Sequence, residues 1–191
     1  MKFLQLLARV GMIALLVVPR LRLAGIRLSL KELGLGGMPA GRAIAWGAAG
    51  AMAVWPIMLL ILTFTERLFS GMPPAQSPIT VGLGGASDWG TLLGLAFMAV
   101  VLAPIWEEIA FRGMLFPALA GAFGSPLAGG VLAALIFGTM HPAGIPVWLP
   151  LASVGGVSCL LYYYTRSLLP SIVMHAIHNA LQLALMLIAS G

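Results

Sequence analysis

Apolar residues in this chain fall into long unbroken runs rather than into the two-residue alternation of a half-buried strand. Charges and clusters of proline and glycine separate the runs. Runs of this length read as buried or membrane-spanning helices. Six are drawn, over residues 3–18, 43–65, 91–119, 127–141, 145–164 and 168–190. The pattern predicts an all-α fold, a polytopic transmembrane helix bundle of about six spanning or partly spanning helices. Residues 1–191 read as a single membrane domain. Run 3–18 is short against the roughly 20 residues a span requires, so it is expected to tilt or to lie at the interface. It is read as retained rather than as a signal peptide, because Arg9 interrupts it and no small-residue cleavage site precedes Pro19-Arg20.

Composition supports the membrane reading. Apolar residues make up 61% of the chain, charged residues 8%, and mean hydropathy is +1.06. A soluble domain carries about 25% charged residues, so this chain could not cover a water-facing surface. The single cysteine, Cys159, cannot form an internal disulfide and reads as a small packing residue.

Charge then sets topology. The net charge of +5 gives no nucleic-acid signal, because Arg20, Arg22, Arg27, Lys31 and Arg42 cluster in one inter-helix segment, 19–42. By the positive-inside rule this basic segment is cytoplasmic. Leu23, Ile26, Leu30 and Leu33 recur in it at helical spacing, so it is either an amphipathic helix on the anionic surface or a loop that sets orientation. Arg166 then falls on the same side, and Arg67, beside Glu66, is a minor exception. Segment 66–90 is irregular, and its glycines lack the Lys-Ser or Lys-Thr of a phosphate loop.

The chain has five acidic residues and places two of them, Glu107 and Glu108, inside the run 91–119. A carboxylate at the bilayer centre costs at least about 2.5–3.5 kcal/mol, so intramembrane acids usually mark function. Helical geometry separates the pair. Glu108 and Arg112 are four apart, share a face and can form an ion pair. Glu107 points elsewhere and stays available. Two further polar clusters follow. His141 closes the run 127–141, and His175, His178 and Asn179 lie on 168–190, with Ser171 extending the stripe of His175 and Asn179. Counted at about 1.5 Å per residue from the cytoplasmic ends, Glu107 lies roughly 18 Å deep, His141 roughly 21 Å, and His175 and Asn179 roughly 10–17 Å. These side chains can therefore share one buried pocket.

That inventory suits hydrolysis. A carboxylate in an apolar pocket can act as a general base, a histidine can share the proton or hold a metal, and a carboxamide can donate to an oxyanion. No His-Glu-x-x-His and no Gly-x-Ser-x-Gly is present, so neither a zincin nor a serine nucleophile is indicated. The bland alternative for each cluster is a snorkelling charge pair, a packing histidine or an interhelical hydrogen-bond patch.

Three motifs stand in order on successive helices: Glu107-Glu108 with Arg112, Phe137 with His141, and His175 with Asn179. This arrangement resembles the CAAX prenyl protease and bacteriocin-processing intramembrane endopeptidases, also called the Abi family. The resemblance covers about 91–190, the expected catalytic core. It implies a membrane protease that cuts peptide bonds of membrane-associated or lipidated proteins, with the lipid bilayer and a peptide as partners and no nucleic acid. It also implies that Glu107 and His141 activate water, that His175 and Asn179 stabilise the oxyanion, and that Glu108 and Arg112 support them. Zinc is the candidate cofactor, with His141 and His175 as candidate ligands. Three ligands would leave one open position but would occupy Glu107, so a metal-free mechanism is preferred. His178 is an additional histidine the motif does not require. The expected location is a bacterial inner membrane. Competing readings are a non-catalytic immunity or scaffold protein of the same fold, and a proton-coupled transporter. The latter is disfavoured by the lack of an internal repeat.

Overall fold

The computed structural model describes residues 34–72, 88–141 and 144–190. The expected helix 3–18 and most of the basic segment 19–42 lie outside the described residues. What is described is helical: α1 (Ala40–Leu68), α2 (Trp89–Phe123), α3 (Pro126–Met140), α4 (Ile145–Thr165) and α5 (Leu169–Ser190). Four of these are long and apolar enough to cross a membrane, and α3 is a shorter apolar helix. The boundaries expected from the sequence hold to within a few residues.

Small residues determine how closely the helices approach. The inner face of α1 carries Ala43, Gly47, Gly50, Ala51, Val54, Met58 and Thr65 at three- to four-residue spacing. A Cβ on Gly47 would strike Val173, and one on Gly50 would strike Leu161, so these glycines let α1 lie directly on α5 and α4. Val54, Met58, Val154, Leu161 and Met174 close this core. On the other side, α3 is clasped by its neighbours. Gly129 meets the backbone of Ala120, Gly138 meets the carbonyl of Trp148, and Gly155 meets Ala134 and Phe137. The α2–α3 corner is made by Gly124 at φ 60° and by Ser125, whose hydroxyl accepts the Ala128 N–H at 3.2 Å.

Prolines inside these helices free carbonyls that must be satisfied within the membrane. Pro150 has no N–H to give the carbonyl of Pro146, and buried Thr65 of α1 donates to that carbonyl at 2.6 Å. Helix α2 is not uniform. Two π-helical stretches, Met98–Leu102 and Ile109–Leu115, interrupt it, and each is followed two residues later by a proline, Pro104 and Pro117. A proline ring clashes with the carbonyl four residues before it, and a widened turn relieves that clash. The six-residue α-helical piece Ala103–Glu108 between the two wide stretches carries both glutamates.

Candidate active site

Three helices converge on the glutamate pair. Glu108 and Arg112 are 0% and 1% exposed and form an ion pair, Nη1 to Oε1 at 3.0 Å. The other arm of Arg112 donates from Nη2 to the carbonyl of Gly155 on α4 at 2.9 Å. Its guanidinium lies over the ring of Phe137, 4.6 Å from the centroid. Ser158 donates to Glu108 Oε1 at 3.4 Å. The charge of Glu108 is thus neutralised by a group itself fixed by three elements.

Glu107 faces two imidazoles instead. Its Oε2 lies 3.8 Å from Nε2 of His141 and 3.8 Å from Nε2 of His175, and it has no hydrogen-bond partner among the described residues. Each ring is held by its other nitrogen. His141 ends α3, where the last carbonyls lack helical partners, and its Nδ1 bonds the carbonyl of Phe137 at 2.8 Å. A carbonyl can only accept, so Nδ1 carries the proton, and in the neutral ring Nε2 presents a lone pair. Nδ1 of His175 lies 2.9 Å from Glu108 Oε1, which fixes the same tautomer when that ring is neutral. The ring of Phe137 packs against both histidines, at 4.7 Å and 5.6 Å between centroids, and fixes the gap between them.

α3 is only 15 residues long, about 22 Å at the helical rise, against about 30 Å of hydrocarbon. Its end therefore stays within the membrane. His141 is the most open of the three groups, with 24% of its side chain exposed against 10% for Glu107 and 4% for His175.

Of the residues read from the sequence, Glu107, His141 and His175 meet, and Glu108 and Arg112 pair beside them. Asn179 is anchored to the same helix by a different bond. Its Nδ2 donates to the carbonyl of Ala99 at 2.8 Å. In the π register that carbonyl would pair with the nitrogen of Pro104, which has no hydrogen. One carboxamide N–H is thus committed, and the second remains to be given. His178 does not join the group. It is buried against Trp55, 5.6 Å between centroids, and neither ring nitrogen has a hydrogen-bond partner among the described residues. Ser171 is spent on the carbonyl of Leu168. The sequence reading missed Ser158, the carbonyl of Gly155 and the double role of His175, which spans both glutamates.

Glu107, His141 and His175 are the residues that could hold a metal. Zinc held at about 2.0–2.1 Å by tetrahedral ligands brings donor atoms to about 3.4 Å of one another, closer than the 3.8 Å found here. Among the described residues no group of three or more His, Cys, Asp or Glu side chains is placed to hold an ion.

The family model for type II CAAX prenyl endopeptidase Rce1-like proteins matches residues 89–181. This stretch of the chain is similar to the Rce1-like family. The matched stretch begins at the first residue of α2 and ends two residues past Asn179, so all three motifs lie within it. Residues 89–181 are thus similar to a protease family, and four of the described helices are long and apolar enough to cross a membrane. No curated protein and no solved structure matches the chain.

Proposed function

We propose that this protein is an intramembrane endopeptidase that hydrolyses a peptide bond of a membrane-associated or lipidated protein with water activated by Glu107. The observation that carries the reading is the convergence of two oriented Nε2 atoms on one buried carboxylate oxygen that has no hydrogen-bond partner among the described residues. A gap of 3.8 Å between an acceptor and a ring nitrogen is one that a water bridges. Glu107 takes a proton from that water while its oxygen adds to the scissile carbonyl carbon. His141, with its lone pair on Nε2, is the second acceptor. The tetrahedral oxyanion is met by His175, which donates from Nε2 when its ring is protonated, and by the second N–H of Asn179. Glu108 lies against Nδ1 of His175, so an imidazolium formed there faces a fixed negative charge. Collapse breaks the C–N bond, and the proton held by Glu107 or His141 passes to the leaving amine. No step requires a metal. Glu108 and Arg112 hold His175 rather than touch substrate.

The proposed location is a bacterial inner membrane, with the end that carries Arg42 and Arg166 facing the cytoplasm. The test compares newly formed C-termini in membranes holding the wild type with those holding Glu107→Ala. Termini present only with the wild type are expected. Identical termini in both would overturn the assignment.

A further inference from the structure

Arg42 and Arg166 face one pocket at the end of the bundle where α1 begins and α4 meets α5. Its volume is about 340 Å³, and Trp46, Tyr164 and the glycines at 36 and 37 complete its wall. Gly34 ties this end together: its carbonyl accepts the N–H of Leu168 at 2.8 Å and the hydroxyl of Ser167 at 3.0 Å. Among the described residues neither arginine has a carboxylate partner. The described acids lie elsewhere, Glu66 and Asp88 at the opposite end and Glu107 and Glu108 in the active site. The first turn of α1 adds uncapped N–H groups and no acidic side chain.

A second cavity adjoins this one. An apolar groove of about 610 Å³ runs between α3 and α4, lined by Leu127, Val131, Leu135 and Leu160, and Tyr164 belongs to both cavities. The guanidinium of Arg166 lies 5.1 Å from the ring centroid of Tyr163, a wall of the groove. A cationic pocket thus opens beside an apolar channel, with aromatic side chains at the join, where tyrosine and tryptophan favour the headgroup level.

We propose that pocket and groove together bind one anionic phospholipid, its phosphate between Arg42 and Arg166 and an acyl chain along α3 and α4. This site is separate from the active site and does not depend on the proposed reaction. Charge complementarity favours this occupant, because the basic end of the bundle faces the leaflet that carries anionic lipid. A zwitterionic lipid would bring a cation to two guanidinium groups that have no carboxylate partner among the described residues.

The test measures binding of phosphatidylglycerol, phosphatidylcholine and soluble glycerol phosphate to the full chain by native mass spectrometry from neutral detergent. Phosphatidylglycerol is expected to bind most tightly. Arg42→Gln and Arg166→Gly are each expected to weaken it about fivefold, and the pair about 25- to 30-fold, as two basic contacts at a membrane surface require. Arg166 sits at φ 54°, which glycine accepts freely, so that variant cannot lose binding through backbone strain. Gly156→Phe tests the groove. Gly156 lines the groove and a Cβ there meets open space, so the ring is placed to occupy the groove. It should weaken phosphatidylglycerol at least tenfold and leave glycerol phosphate unchanged. Arg67→Gln, at the opposite end, should change nothing. Equal retention of phosphatidylcholine, or wild-type affinity in the double arginine variant, would overturn the proposal. So would glycerol phosphate binding as tightly as the lipid, which would mark a phosphate pocket without a lipid site.

Discussion

Replacing Arg112 by Met separates the two glutamates by experiment. Glu108 is fully buried, so it cannot exchange its lost partner for water. The substitution removes the 3.0 Å ion pair, the 2.9 Å bond to Gly155 and the stacking over Phe137, while Met fills much of the volume. Removing one member of a buried pair costs about 3–5 kcal/mol, mostly because the other charge is stranded. That is a large share of a total stability of about 5–15 kcal/mol. Replacing both members by neutral groups of similar size is often close to neutral. Arg112→Met alone is therefore expected to lose about 3–5 kcal/mol. Combined with Glu108→Gln it should return to within about 1 kcal/mol of wild type, so that the two changes are far from additive, as expected for touching residues. The assay is reversible unfolding in mixed micelles, followed by tryptophan fluorescence across the four-variant cycle. Cleavage should be lost in both Glu108→Gln variants, because His175 then lacks the anion at its Nδ1. The reasoning fails if Arg112→Met costs less than about 1 kcal/mol, or if the double variant is as unstable as the single one.

Glu107→Gln should lower cleavage by about 10²- to 10⁴-fold, the usual yield of a general base. Its stability should be unchanged or higher, since a neutral amide is cheaper to bury than a carboxylate without a hydrogen-bond partner; a destabilised Gln variant would make Glu107 structural. Gly138→Ala drives a methyl into the carbonyl of Trp148 and should cost about 1–3 kcal/mol in thermal unfolding. Cleavage should fall with it as His141 shifts, whereas Gly121→Ala, where a Cβ meets open space, should be silent in both assays. Asp88 accepts the hydroxyl and backbone N–H of Thr91, and these bonds hold its carboxyl below its ordinary value of 3.8. A depressed value means that the cap is intact above 3.8 and is lost only as pH falls through the lower folded value. The Thr91 amide resonance should titrate with a midpoint below 3.8, and Asp88→Asn should abolish the titration; a midpoint at or above that value would contradict the cap.

Much of this arrangement was legible before any coordinates. Apolar run length located α1 to α5, because in a membrane the backbone must satisfy itself and long helices are nearly the only solution. Helical rise placed Glu107, His141 and His175 at similar depth, and four-residue spacing paired Glu108 with Arg112. What stayed hidden depends on rotation and on single carbonyls. Whether His175 faces one glutamate or both cannot be read from spacing along α5. The fate of Asn179 turns on the carbonyl of Ala99, which is free only because α2 widens before Pro104. Pro104 and Pro117 were the available signal, since each must release carbonyls inside a spanning helix.

Those prolines also explain how two adjacent acids reach different surroundings. On a uniform helix Glu107 and Glu108 would differ only by a rotation of about 100°. Here a six-residue α-helical piece holds them between two wide turns, and each turn serves one side of the site. The turn before the pair offers the carbonyl that anchors Asn179 of α5. The turn after it carries Arg112, which reaches Glu108 on its own helix and Gly155 on α4. With Glu108 neutralised on one side and α5 fixed on the other, His175 is held between the two carboxylates, and Glu107 keeps an oxygen with no hydrogen-bond partner among the described residues.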